Sequence, residues 1–318
     1  MVRLALHFIC TLLALQWACS RNNEERPSMA QPTTVAPPIA SDAGPPTPTA
    51  ASGTTVPVAS PPALPSSTQQ SSGQPSGPTR MKCLIESYPD HLCGGTATHI
   101  RWCDGTEMLW DDGLSKRDYN TLLDTADLQD HMAAQYPLGA NYPVPLPVNY
   151  EPGRVRHTPF FLKMYGGTES AMRKTLTKIR WLPSTANRMI RVTTVNSVDK
   201  KLEQISREIE ALSPALQQSV AESSGPFYWR HIKGTKRLSM HSFAIAFDVG
   251  LDRAYYWRWE KPDKNGIYPY KNKMPMEIVD IFEKHGFIWG GKWYHLDTPH
   301  FEYRPELLHP DCVAKESP

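Results

Sequence analysis

Apolar residues recur at helical spacing at Val198, Leu202, Ile205, Ile209 and Leu212, which predicts an amphipathic helix opened by Asn196 or Ser197. Thr168 is a good N-cap for a second helix running to about Ile179, and the β-branched run Met189–Val195 reads as a strand. Pro275 opens a third helix whose Ile278, Val279 and Phe282 share one face, with Gly286 as its stop. A short helical stretch is predicted around Leu122–Ala134, before Tyr136-Pro137. Ser239–Gly250 and Phe287–Tyr303 read as strand and loop, and the turn-rich stretch 81–150, with Trp102 and Trp110, as a small strand-rich region. Strands and helices do not alternate strictly and no Gly-rich phosphate loop is present. The expectation is an α+β fold, a small antiparallel sheet with flanking helices, and not a doubly wound parallel sheet.

The first 80 residues do not fit that pattern. Arg3 followed by the apolar run Leu4–Trp17 reads as an export signal over residues 1–19, too short to span a bilayer comfortably. The run ends at Ala18-Cys19, which resembles a bacterial lipoprotein processing site with Cys19 as the lipidated residue; Gln16 departs from the aliphatic residue usual there. Of the 30 prolines, 13 fall between Pro27 and Thr79, where Asp42 is the only charged side chain. Such a segment buries too little apolar area to offset its ordering entropy, so residues 20–80 are expected to be a disordered tether. A Cys-containing region, 81–150, and a chemistry-bearing domain, 151–318, would follow it.

Charge narrows the function. With 34 Lys+Arg against 32 Asp+Glu the formal net charge is +2, which argues against a nucleic-acid binder working through a basic face. Of six cysteines, Cys10 and Cys19 belong to the leader, leaving Cys83, Cys93, Cys103 and Cys312. An even number in an exported chain favours two disulfides with three possible connectivities. Any bond made by Cys312 would tie the C-terminal tail to the start of the folded region. No Cys-x-x-Cys pair supports a structural zinc site.

Two segments concentrate metal-ligand residue types: Ser239-Met240-His241-Ser242-Phe243-Ala244-Ile245-Ala246-Phe247-Asp248 and His295-Leu296-Asp297-Thr298-Pro299-His300-Phe301-Glu302-Tyr303. A hydrolytic zinc site needs about three protein ligands and an open position for water, and His241, Asp248 and His300 would supply two imidazoles and a carboxylate. Seven residues of straight strand would hold His241 about 23 Å from Asp248. His241 must therefore sit on a turn that brings the chain back. Asp297 and His300, three apart with Pro299 between them, suit an irregular turn in which both face one water. The His-Glu-x-x-His helix of common zinc proteases is absent.

Ser-x-His with the Asp seven residues after the His, then Gly286-Phe287-Ile288-Trp289-Gly290-Gly291-Lys292-Trp293 and Asp297-x-x-His300-Phe301-Glu302, resembles the VanY-type D-alanyl-D-alanine carboxypeptidase family of zinc peptidases. The likeness is strong over about 225–306 and includes Gly225–Arg230, similar to the family's strand that presents an arginine. It implies Zn²⁺ held by His241, Asp248 and His300, with Asp297 as general base. Arg230 would stabilise the developing oxyanion, a role for which Arg237 competes. It further implies action on peptidoglycan stem peptides from the bacterial cell envelope, facing the periplasm, with membrane contact only through the N-terminal lipid. A D,D-carboxypeptidase is the first expectation; an endopeptidase of the same family and a non-catalytic cell-wall-binding module are the alternatives. The aromatics Tyr255, Tyr256, Trp257 and Trp259 suit a groove for such a ligand, and the loop Glu260–Met274 would decide whether the groove is closed.

Overall fold

The computed structural model describes residues 76–116 and 118–314. The expected signal peptide, Cys19 and nearly all of the expected tether lie outside them. The first element, helix α1 (Gly77–Ser87), is capped by the Ser76 hydroxyl and starts inside the segment read as tether. A three-stranded antiparallel meander follows, β1 (Leu92–Gly95), β2 (His99–Trp102) and β3 (Glu107–Leu109), with Cys93 and Cys103 joined across its first turn. The stretch read as one helix over 122–134 is two, α2 (Tyr119–Thr125) and α3 (Leu128–His131). Asp127 divides them because its side chain accepts from the backbone of Asp130 and starts a new helix there.

Helices α4 (Thr158–Tyr165) and α5 (Glu169–Lys174) lead to a hairpin of β4 (Leu176–Trp181) and β5 (Arg188–Thr193). Thr168 caps α5 as expected, but the helix stops at Lys174 rather than near Ile179. Thr175, Thr177 and Ile179 are β-branched, and Ile179 pairs with Ile190 in the hairpin, where burial overrides the helical start. Helix α6 (Val198–Glu210) buries Val198, Leu202, Ile205 and Ile209. Its N-cap Ser197 is left-handed and gives no side-chain cap, and the Asn196 amide instead donates to Tyr165 Oη at 3.1 Å. After α7 (Pro214–Gln218) comes the central antiparallel sheet, in spatial order β6 (Ser223–Ser224), β7 (Ala246–Val249), β9 (His300–Tyr303) and β8 (Phe287–Trp289). Helix α8 (Met276–Lys284) packs behind this sheet, and Gly286, at φ 88°, makes the turn into β8.

The sheet has an apolar and a polar face because side chains alternate along a strand. Phe247 pairs with Phe301 on one face, where Phe301 stacks on Phe282 of α8 at 3.9 Å and Phe247 meets Trp181 edge-on. The neighbouring pairs, Ala246 with Glu302 and Asp248 with His300, point the other way. One buried core runs from Met81 to Cys312, so residues 81–150 wall the same interior as the rest. Cys83 bonds Cys312 and Tyr88 Oη donates to Glu306 at 2.7 Å, fastening α1 to the chain just beyond β9. The fold is α+β with small antiparallel sheets and flanking helices. Among the described residues no helix is long and apolar enough to cross a membrane.

Candidate metal centre

His241 lies in a 3-10 turn, Met240–Phe243, just before β7. Ala244 takes the left-handed conformation at φ 54° and reverses the chain, so that His241 Nε2 comes 3.3 Å from Asp248 Oδ2. The Ser242 hydroxyl ties this turn to the backbone of Arg230 through two 3.0 Å hydrogen bonds. His300, opposite Asp248 on β9, places Nδ1 3.0 Å from Asp248 Oδ1. One ligand atom from each of the three residues lies within 4.8 Å of the others.

The donor set fits a tetrahedral ion. Two ligands bonded at ~2.0–2.2 Å to such an ion stand roughly 3.3 Å apart, close to the two distances found. The outward nitrogens are also accounted for. His241 Nδ1 faces the Pro226 carbonyl at 3.2 Å and His300 Nε2 faces Glu302 at 3.3 Å, which leaves Nε2 of the first and Nδ1 of the second turned toward Asp248. Glu302 is fully buried, and Arg156 and Arg304 grip its carboxylate. Burial opposes its charge, yet Arg156, the contact with His300 and Arg304 hold its pKa far below the usual carboxylate range. Ser224 Oγ, 3.3 Å from Asp248 Oδ2, braces the third ligand. Burial disfavours the charge on His300 too, but hydrogen bonds to Asp248 and Glu302 and the negative charge around it push its pKa up to about 9.

Asp297 ends the loop between β8 and β9, and its backbone N–H donates to Gly290 at 3.0 Å. A Cβ at Gly290 would stand 2.6 Å from the Asp297 carbonyl, so glycine is required for this approach. Burial raises the pKa of Asp297, reinforced by Asp248, against the opposing pull of His300, Arg154 and His241. That carboxyl therefore lies in the field of all three candidate ligands.

Arg230 departs from the expected strand. Sheet pairing before it ends at Ser224, because Gly225-Pro226 breaks the ladder and residues 226–230 run irregularly. Its guanidinium is exposed over the Tyr228 ring at 5.9 Å, and no hydrogen bond or ion pair joins it to His241, Asp297 or His300. Arg237 is drawn to Asp124 at 3.1 Å. Of the aromatic group, Tyr256 forms an antiparallel bridge with Asp297, Trp257 packs on His295 with centroids 4.5 Å apart, and Trp259 is exposed. Tyr268 of the 260–274 loop lies against Trp257. Ser239 donates its backbone N–H to Arg230 and otherwise shapes the turn.

Sequence reasoning left Glu302 open between supporting the site and a purely structural part, and gave none to Arg156 or Arg304. The first had a legible signal, since two residues beyond His300 on one strand means the same face. Arg156 comes from 146 positions earlier in the chain and had none.

His241, Asp248 and His300 form a candidate metal centre of the histidine–carboxylate type, with the half-buried Asp297 carboxylate nearby. The sequence profile of the family described as D-alanyl-D-alanine carboxypeptidase matches residues 233–303, the stretch carrying His241, Asp248, Asp297 and His300. That match supports the VanY-type resemblance read from the motifs and suggests a peptidase. No curated protein and no solved structure matches the chain.

Proposed function

We propose that this protein is an exported zinc peptidase that hydrolyses peptide bonds in peptidoglycan stem peptides, acting first as a D,D-carboxypeptidase. The observation that carries the proposal is the convergence of His241, Asp248 and His300, with the half-buried Asp297 within their electrostatic field. His241, Asp248 and His300 would hold the zinc, which would act as a Lewis acid that polarises a carbonyl and lowers the pKa of water toward neutrality. Asp297 takes the proton from the attacking water and later gives it to the amine nitrogen as the C–N bond breaks. Its raised pKa suits both transfers. Arg230, on the rim, offsets charge on the carbonyl oxygen once its side chain swings toward the peptide. Glu302 keeps His300 oriented throughout.

The proposed setting is the cell envelope, with Cys19 lipidated and residues 20–80 as the tether. Purified protein loaded with zinc and given D,D-, L,D- and all-L peptides side by side tests the reading. Release of the terminal residue from D,D-peptides alone is expected; cleavage within a longer stem would point to the endopeptidase alternative. Binding without cleavage would mark a cell-wall-binding module.

A further inference from the structure

The balanced total charge hides a local concentration. Between Glu169 and Asp199 the chain carries six cations, Arg173, Lys174, Lys178, Arg180, Arg188 and Arg191, and no acidic residue, against a net charge of +2 for the whole. All six are exposed. The β4–β5 hairpin sorts them. Ile179, Ile190 and Val192 are buried in the core, so the alternate positions Lys178, Arg180, Met189 and Arg191 face solvent. Lys178 stands directly opposite Arg191, and Arg180 opposite Met189. Like charges opposite each other weaken a sheet, so nothing in the folding of the hairpin calls for the first pair.

Counter-charges sit only at the margins of this face. Glu169 takes Arg173 at 3.0 Å, Glu222 lies 3.7 Å from Arg188, and Glu210 accepts from the Ser184 N–H in the hairpin loop. Arg180 donates to the neutral Asn187 side chain. Among the described residues Lys174, Lys178 and Arg191 pair with no carboxylate. A hollow of about 250 Å³ adjoins them, lined by Arg173, Leu176, Thr177, Lys178 and Arg191. Met189, on the same face, is 54% exposed. Guanidinium and ammonium groups around a hollow suit phosphate oxygens. The solvent-facing hairpin positions include no aromatic ring on which a nucleic-acid base could stack. An apolar side chain among cations instead suits the boundary between lipid headgroups and acyl chains.

We propose that the outer face of β4–β5 docks on an anionic phospholipid bilayer, with a phosphate headgroup in the hollow and Met189 at the acyl boundary. The contact would add to the lipid expected at Cys19, and it does not depend on the peptidase reading. The face lies before residue 233, where the match to the peptidase family begins, so it is this chain's own addition to that domain.

The test is co-sedimentation with vesicles of phosphatidylcholine alone and of an equimolar mixture with phosphatidylglycerol. The protein used starts at Ser20, which keeps the whole buried core and removes the apolar leader. Binding to the mixed vesicles should be roughly tenfold or more tighter, and should fade between ~0.1 M and ~1 M salt as the screening length drops from ~10 to ~3 Å. Lys178→Gln with Arg191→Gln should weaken it roughly 25-fold, at roughly fivefold for each cation near an anionic surface, with an unchanged melting temperature. Met189→Ser should lose a smaller part. Lys261→Gln with Lys264→Gln, exposed cations of another loop, should change nothing. Equal binding to both vesicle types, or equal losses from the two pairs of substitutions, would overturn the docking face. Binding to soluble inorganic polyphosphate as tight as to the vesicles, and indifferent to Met189→Ser, would make the partner a phosphate polymer and overturn the membrane contact. Hydrolysis of soluble peptides should be the same with and without Lys178→Gln and Arg191→Gln, so the docking face and the peptidase reading fail separately.

Discussion

Asp248 and His300 stand directly opposite each other on adjacent antiparallel strands, with Oδ1 of one 3.0 Å from Nδ1 of the other. The pairing register of β7 and β9 therefore sets the candidate metal centre. Phe247 against Phe301 in the same ladder fixes that register through the core, since a slip of one residue would exchange the polar and apolar faces.

Two substitutions separate holding the metal from using it. Asp297→Asn is expected to keep zinc at one per chain and lose turnover by 100-fold or more, the scale of general-base catalysis at roughly 10²–10⁴-fold. His241→Ala is expected to lose the metal itself. Metal analysis of the purified variants beside initial rates checks both, and a fully active Asp297→Asn would remove that residue from the base role.

Glu302 supports the candidate ligand His300 from behind. Glu302→Gln keeps the shape but removes the charge that orients His300, so zinc affinity should fall by roughly 10–100-fold. Competition with a chromogenic chelator measures it. An unchanged affinity would mean that Glu302 serves only its two arginines.

In the proposed zinc site, metal and protons would compete for His300. Without metal its pKa is raised to about 9, so its stabilising contribution is complete below 6.5 and is lost as pH rises through 9. Zinc binding at pH 7 should therefore release protons, and apparent affinity should climb until about pH 9. Titration in two buffers of different ionisation enthalpy counts the protons.

His131 gives the opposite limb. Fully buried, with Arg304 Nη2 2.7 Å from its Nε2, it has a pKa lowered to about 4. The unfolded chain takes up this proton below about 6.5 and the folded one only near 4, so stability falls as pH drops through that window. Glu306 extends the loss: burial works against its charge, but Arg304 and His131 hold it down at about 2, and its contribution disappears between 4.5 and 2. Melting curves of metal-free protein from pH 7 to 4 should fall steadily, with a shallower slope for His131→Gln.

A buried ion pair holds the far side of the sheet. Lys292, fully buried, is paired with Glu283, which also accepts from Tyr136 Oη at 2.7 Å and the Gly139 N–H at 2.9 Å. Glu283→Ala would strand the ammonium and should cost about 3–5 kcal/mol in chemical denaturation.

Much of this architecture was written in local patterns. The 3.6-residue period of Val198–Ile209 and the Pro275–Gly286 bracket mark α6 and α8, because both helices bury a single stripe. The His241 turn followed from distance alone, since straight strand cannot return Asp248 to it. Other features depend on partners far along the chain. The end of α5 was decided by Ile190 across the hairpin, and the choice among three disulfide pairings by where α1 meets the C-terminal tail. The segment carrying Arg230 is not the expected strand, because Gly225-Pro226 ends the ladder at Ser224.

The most direct test of the peptidase account is to incubate zinc-loaded protein with isolated peptidoglycan and weigh the released fragments by mass spectrometry, beside Asp297→Asn. The account predicts stem peptides shortened by one terminal D-Ala with the wild type and none with the variant. Unchanged fragment masses from protein carrying one zinc per chain would contradict it.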